Sequence, residues 1–270
     1  MRRVLLALVT LAVSSSEAAA APWALGKGKV FAQAAYRYLG SSTLHAPDGT
    51  AFDIPRYRHH DLDLFVAAGP TESLTAFLNL PIVRSSDLED FGSESGIGDL
   101  EGGLQARILS RGPWVAALRG SIQAPTGDET RADGLLPTGT GVWEFEAVAG
   151  LGRNLANGRG WTFVELGHQV RGGQLRDSLL YAVQMGWHLN TRVALTAGLS
   201  GVQPYDTSAR GVPIGSPTGL SDRVTYTTYG PGVQVRLGGP WTAHFEVTDT
   251  FHARNLATGL TFRSGLSWSR

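Results

Sequence analysis

SLLYAVQMGWHLNTRVALTAGLSG, from Ser178 to Gly201, carries the pattern that decides the fold. Between Leu179 and Leu189 the odd positions are large and apolar (Leu179, Tyr181, Val183, Met185, Trp187, Leu189), while Ala182, Gln184, Gly186 and His188 between them are small or polar. Period two is the signature of a strand with one oily face. After a tight Asn190-Thr191 connection the alternation resumes with Val193, Leu195, Ala197 and Leu199 opposed to Arg192, Thr196 and Ser200. Two such strands joined by so short a link predict an antiparallel hairpin.

Composition decides where the oily face points. A soluble sandwich presents a charged, lysine-rich outer face, yet Lys27 and Lys29 are the only two lysines in the 270 residues. The non-oily positions are Gly, Ser, Thr and Gln with scattered Arg, Asp and Glu. That face reads as an enclosed wet lumen, and the oily one as lipid-facing.

The N-terminus predicts the compartment. Arg2 and Arg3 precede an apolar run from Val4 to Val13, then Ser14 to Glu17 and the small residues Ala18 to Ala21, the layout of a secretory signal peptide cut after Ala20. We therefore expect a signal peptide over 1–20 and an outer-membrane β-barrel over 21–270. The apolar run is shorter than the roughly 20 residues of a spanning helix. From 23 basic and 23 acidic residues, loss of Arg2, Arg3 and Glu17 leaves 21 and 22, a balance that argues against a nucleic-acid surface. Cysteine is absent, so disulfides and thiolate chemistry are excluded.

Alternation recurs along the chain and predicts about 12 strands, an even number as in bacterial barrels. The connections near Gly69 to Thr71, Ser110 to Pro113, Asn154 to Gly160, Asn190-Thr191 and Leu237 to Pro240 are short; those at Gly40 to Arg56, Val83 to Gly96, Ala124 to Gly141 and Gln203 to Ser221 are long and rich in Gly, Pro, Asp and Ser. Short turns at one end and long loops at the other are how outer-membrane barrels are built. Trp114, Trp161, Trp187, Trp241 and Trp268 fall near the short-turn ends, where an aromatic girdle is expected. The fold class is thus all-β: a single antiparallel transmembrane β-barrel after a cleaved signal peptide.

Two further segments carry a resemblance. Gly96-Ile97-Gly98-Asp99-Leu100 is followed by Gly103-Leu104 and Arg107; Ala124-Pro125-Thr126-Gly127-Asp128 is followed by Leu136-Pro137-Thr138-Gly139-Thr140-Gly141 and then Trp143-Glu144-Phe145-Glu146. Together, over roughly Gly96 to Leu189, they resemble the outer-membrane barrels grouped as meta-pathway phenol-degradation proteins, a transporter-like family. The resemblance implies passage of small, often aromatic or hydrophobic, compounds and supplies no catalytic residues. Members of this class usually end on an aromatic residue, whereas here Trp268 is followed by Ser269-Arg270.

Chemistry other than transport finds little footing. Outer-membrane lipases and deacylases place Ser two residues after His; here His45, His59, His60, His168, His188, His244 and His252 are followed at that spacing by Pro47, Asp61, Leu62, Val170, Asn190, Glu246 and Arg254. His59, Asp61 and Asp63 share a strand face, but no second cluster completes a metal shell. No cofactor motif is present: the glycine-rich run from Gly211 to Gly219 lacks the Lys-Ser/Thr ending of a phosphate loop.

The expected role is an outer-membrane channel or uptake protein for small, aromatic or hydrophobic, molecules, not an enzyme. Its expected partners are the lipid bilayer, lipopolysaccharide at the outer rim and a small-molecule solute. The alternative is a structural or adhesion barrel whose loops Ala124 to Gly141 and Gln203 to Ser221 bind a partner. By parity Arg37, Asp61, Asp63, Asp99, Glu101, Arg107, Arg119, Glu144, Glu146, Glu165, Arg171, Arg192, Arg236, Glu246 and Arg263 take the lumen face. Counting up from the short turns, Arg119, Glu146 and Glu165 are expected at similar heights, with Glu144 above them.

Overall fold

The computed structural model describes residues 22–206, 208 and 215–270. The signal peptide expected over 1–20 and its cut after Ala20 lie outside the described residues, as do 207 and 209–214 of the expected long loop. Among the described residues twelve strands form the wall: β1 (Val30–His45), β2 (Ala51–Ala68), β3 (Leu74–Leu88), β5 (Leu100–Arg111), β6 (Trp114–Ala124), β7 (Glu144–Leu155), β8 (Gly160–Arg171), β9 (Ser178–His188), β10 (Val193–Pro204), β11 (Thr225–Gly238), β12 (Trp241–Arg254) and β14 (Thr261–Ser269). Two short strands, β4 (Gly92–Gly96) and β13 (Leu256–Thr258), extend β3 and β1 at the long-loop end. Every wall pairing is antiparallel, and β1 pairs both β2 and β14, so the sheet closes on itself without an edge.

The outer surface is apolar. Leu166 is 58% exposed, Met185 56% and Phe245 53%, and Leu104, Leu118, Phe145, Leu195 and Phe262 are similarly bare. A continuous belt of this kind belongs in lipid, because in water it would aggregate. Inside, Gln33, Gln105, Ser121, Gln184, Gln234 and His244 are buried along with the charged residues described below. No helix among the described residues is long and apolar enough to cross a membrane.

The strands run beyond two of the expected loops. Gly40 to Arg56 is the top of the β1/β2 hairpin, with Thr43 to His45 paired to Ala51 to Asp53, and Val83 to Gly96 is the β3/β4 hairpin. The reason is that Leu44 and Leu88 bury against Tyr57, so the ladder has a core to continue on. A second correction concerns Trp161. It packs beside Phe163 and Trp23 in an interior cluster and touches His188 rather than joining the girdle. Directly opposite it stands Gly186, where a Cβ would come within 2.1 Å of the indole, so the glycine makes the room. Trp114, Trp187 and Trp241 are exposed, and Arg153 lies over the Trp114 ring.

Candidate functional site

Cross-strand register assembles the interior charges into two rows. In the first, Glu246 on β12 faces Arg263 on β14, Arg263 faces Arg37 on β1, Arg37 faces Asp61 on β2, and Asp61 faces Arg84 on β3. In the second, Asn79 on β3, Glu101 on β5, Gln123 on β6, Glu144 on β7 and Arg171 on β8 are consecutive partners. Side chains opposite one another on one face meet.

Asp61 is the hub of the first row. Its side chain is fully buried and takes Arg37 Nε at 2.8 Å and Arg37 Nη2 on Oδ2, with Arg84 Nε at 3.2 Å and His59 Nε2 at 3.0 Å on Oδ1. An isolated carboxylate could not be buried so; here donors on three sides replace water. His59 Nδ1 in turn meets Ser86 Oγ at 2.8 Å, and Tyr57 OH lies 3.3 Å from the same oxygen. Ser86, His59 and Asp61 thus make a hydrogen-bonded chain that no His-to-Ser spacing within one strand could reveal, because Ser86 comes from β3. Asp63 is half-buried and lines the smaller of the two cavities described below.

In the second row Arg171 Nε donates to Glu144 Oε1 at 3.0 Å. Gln169 Nε2 donates to Glu144 Oε2 at 2.7 Å and to Glu146 Oε1 at 3.2 Å, joining the two carboxylates. Arg119 Nη1 lies 3.8 Å from Glu165 Oε2, and both side chains are buried or nearly so. By register Arg119 faces Val148, two residues along β7 from Glu146, while Glu165 faces Gly150 on its other side, so the arginine stands between the two carboxylate levels. Three candidates sit apart, near the short-turn end: Arg107 Nη2 donates to the Glu72 carbonyl at 2.8 Å, and Arg192 and Arg236 are exposed and joined through Arg236 N to the Arg192 carbonyl.

Both ends of the lumen are covered by chain from outside the wall. At the short-turn end the segment before β1 crosses the interior. Leu25 packs on Phe31, Phe65 and Phe77 and donates its N–H to Thr75 Oγ1; Trp23 stacks edge-on to Phe163, with ring centroids 6.2 Å apart, and its carbonyl accepts from Gln105. Phe163 is on β8, six strands from β1 in a ring of twelve, so this segment reaches from one wall to the opposite one.

At the long-loop end the stretch from Pro125 to Val142 folds inward. Asp99, buried at the foot of β5, accepts from Gly127 N (2.9 Å), Thr140 N (2.7 Å), Thr140 Oγ1 (3.1 Å) and Gln123 Nε2 (3.4 Å). Leu136 is fully buried with Leu44, Tyr57 and Leu88, and Arg84 Nη1 donates to the Thr138 carbonyl at 3.0 Å. The second long loop locks onto the first through Ser216 Oγ to the Leu135 carbonyl (2.6 Å) and onto the wall through Asn255 Nδ2 to the Asp222 carbonyl (2.8 Å).

Beneath these loops lie two adjoining cavities of about 430 and 330 Å³. Arg37, Arg84, Arg263, Tyr226, Gly219 and Leu220 line both. Arg84 escaped the sequence reading because Val83 to Gly96 reads as loop; β3 runs on through it to Leu88, and since Leu62 pairs with Val83 and Asp63 with Pro81, the extra residue Ile82 shifts the facing and turns Arg84 inward. Trp23 and Leu25 were missed because they precede the first alternating segment. Among the described residues no group of three His, Asp or Glu could hold a metal ion.

No family model matches the chain, and no curated protein matches it. Solved structures do. The COG4313 outer membrane channel from Pseudomonas putida F1 superposes with a TM-score of 0.74 at 16% identity, over 96% of this chain and 99% of that one. The KdgM porin and the NanC porin follow, each with a TM-score of 0.54 over 88% of this chain and 98% of theirs, at 5% and 10% identity. The chain has the closed antiparallel fold of the outer-membrane β-barrels, shared over nearly its whole length with the COG4313 channel.

Proposed function

We propose that the protein is an outer-membrane channel or uptake protein that passes small, aromatic or hydrophobic, molecules across a Gram-negative outer membrane. The observation that carries the reading is the chamber: a lipid-jacketed barrel whose interior is a cavity of solute size, bounded by a tail below and folded loops above. A chain acting only as an anchor has no use for a lined cavity. The charged candidates other than Arg107, Arg192 and Arg236 serve as the lumen wall, the first and second rows bracing and polarising it. Similarity to solved structures of channels and porins supports the same role.

In this reading residues 1–20 direct export and 21–270 form the mature barrel. Lipopolysaccharide would meet the outer rim, where Tyr36 OH lies 2.6 Å from His60 Nδ1 and Tyr205 OH 2.8 Å from His168 Nδ1, both pairs exposed. The adhesion alternative is weakened because its two loops are tied inward, to Asp99, Arg84 and each other. We read the barrel as non-enzymatic: Ser86 is 3% exposed and lines neither cavity, so the Ser86-His59-Asp61 chain serves to hold Asp61.

The test is conductance. In a planar bilayer the purified protein should carry small currents, and Trp23→Ala, which removes the indole from Phe163, should raise them. Silence from both chains, each heat-modifiable on gels as folded barrels are, would refute the channel.

A further inference from the structure

We propose that the chamber is a binding site for a small organic carboxylate with an apolar body, its anionic group held between Arg37 and Arg263. The inference rests on the channel reading and deepens it by naming a solute class.

Three observations carry it. First, Arg37 and Arg263 are direct cross-strand partners on β1 and β14 and both line the two cavities. Like charges directly opposite are ordinarily unfavourable in a sheet. Asp61 and Glu246 flank the pair on its outer sides, and because β1 and β14 are adjacent no carboxylate position lies between the two arginines.

Second, the chamber's charge is unequally accessible. The Asp61 side chain is 0% exposed and its donors saturate it, whereas the Arg37 side chain, attached by Nε and Nη2, remains 43% exposed. Glu144 and Asp99 are likewise buried and occupied by donors. Asp61, Asp99 and Glu144 have withdrawn into the wall, Asp63 and Glu246 line the cavities half-buried, and the exposed part of the Arg37 side chain faces the cavity. A guanidinium edge fits a planar two-oxygen anion.

Third, the rest of the larger cavity is not built for a bare ion. Leu39, Leu220, Leu256 and Ala257 give it apolar surface beside the arginines, and about 430 Å³ accommodates a ring as well as a carboxylate.

The probes are sodium benzoate and benzyl alcohol, which share the ring and differ in the anion, with inorganic phosphate as a third. Titration calorimetry on the purified full-length barrel should show benzoate binding at least about tenfold tighter than benzyl alcohol, the worth of one charge-assisted pair. Arg263→Gln should bring benzoate down to the alcohol's affinity. Thr228→Asp, which adds a carboxylate to the cavity wall away from the Asp61 hub, should do the same and serves if Arg263→Gln fails to insert. Equal affinities for benzoate and the alcohol would overturn the proposal. So would phosphate matching benzoate, or unchanged benzoate binding in either inserted variant. Failure of the channel reading shows separately, as a barrel that carries no current whatever it binds.

Discussion

Asp99→Ala should release the loop from Pro125 to Val142. Asp99 is 5% exposed and accepts the backbone N–H groups of Gly127 and Thr140 at 2.9 and 2.7 Å, with the Thr140 hydroxyl at 3.1 Å. Alanine would strand both N–H groups inside the barrel, at about 1 to 3 kcal/mol each. The remaining anchors are the Leu136 side chain, whose burial is worth about 1.5 to 3 kcal/mol, the bonds to the Thr138 and Leu135 carbonyls, and the Thr126 hydroxyl, which donates to the Gly98 carbonyl and accepts from the Leu100 N–H. Stranding the two N–H groups should raise the population of the loop-out state about a hundredfold, the equivalent of roughly 3 kcal/mol. The chain has no cysteine, so a single Leu136→Cys reports cleanly. Maleimide should label that thiol far faster in an Asp99→Ala background than with Asp99 intact. Equal labelling rates in two inserted barrels would refute the claim that Asp99 holds the loop.

Two further sets of substitutions test the wall. Arg at Val183 or Leu195, 46% and 47% exposed on the outer face, should cost about 2 to 4 kcal/mol near the bilayer midplane, read as denaturant unfolding in vesicles; Ser200→Arg, on the cavity side of β10, should be tolerated. Equal damage at Leu195 and Ser200 would mean that the faces are reversed; Gln184, although inward, is no control, because it is only 4% exposed. Arg119→Ala should lower the unfolding temperature by stranding Glu165, a buried carboxylate, at about 3 to 5 kcal/mol, and an unaltered melting curve would remove Arg119 from the brace.

How much of this was legible follows from what period two can encode. Alternation fixes the face of each residue along an unbroken strand but not the pairing: a two-residue Asn190-Thr191 turn would set His188 opposite Val193, whereas His188 faces Ala194, because Arg192 joins the turn and Asn190 Oδ1 accepts the N–H groups of Arg192 and Val193. It fails where the strand is interrupted. One extra residue at Ile82 reversed the facing of Arg84, and that arginine became the third arm of the Asp61 hub. It also cannot see partners on neighbouring strands, so the Ser86 that meets His59 was invisible to a search along β2 alone.

The tail and the inward loops were hidden for a different reason, which the structure makes usable. Irregular backbone inside a barrel has no ladder to satisfy it, so side chains must do so. Thr75 takes the Leu25 N–H, Gln105 donates to the Trp23 carbonyl, Asp99 takes Gly127 and Thr140, and Asn255 holds Gly215 and Asp222. Thr75, Asp99 and Asn255 lie near strand ends, and all four are buried. A polar residue near a strand end whose parity points inward, with no charge partner in its own row, therefore marks a place where chain from outside the wall docks. Asp99 meets that description within the sequence alone: it precedes β5 on the parity of Glu101 and stands between two glycine-rich segments, Gly96 to Gly98 and Gly102-Gly103. Grouping it with the lumen charges gave its side and missed its task, which is to bond the backbone of a loop.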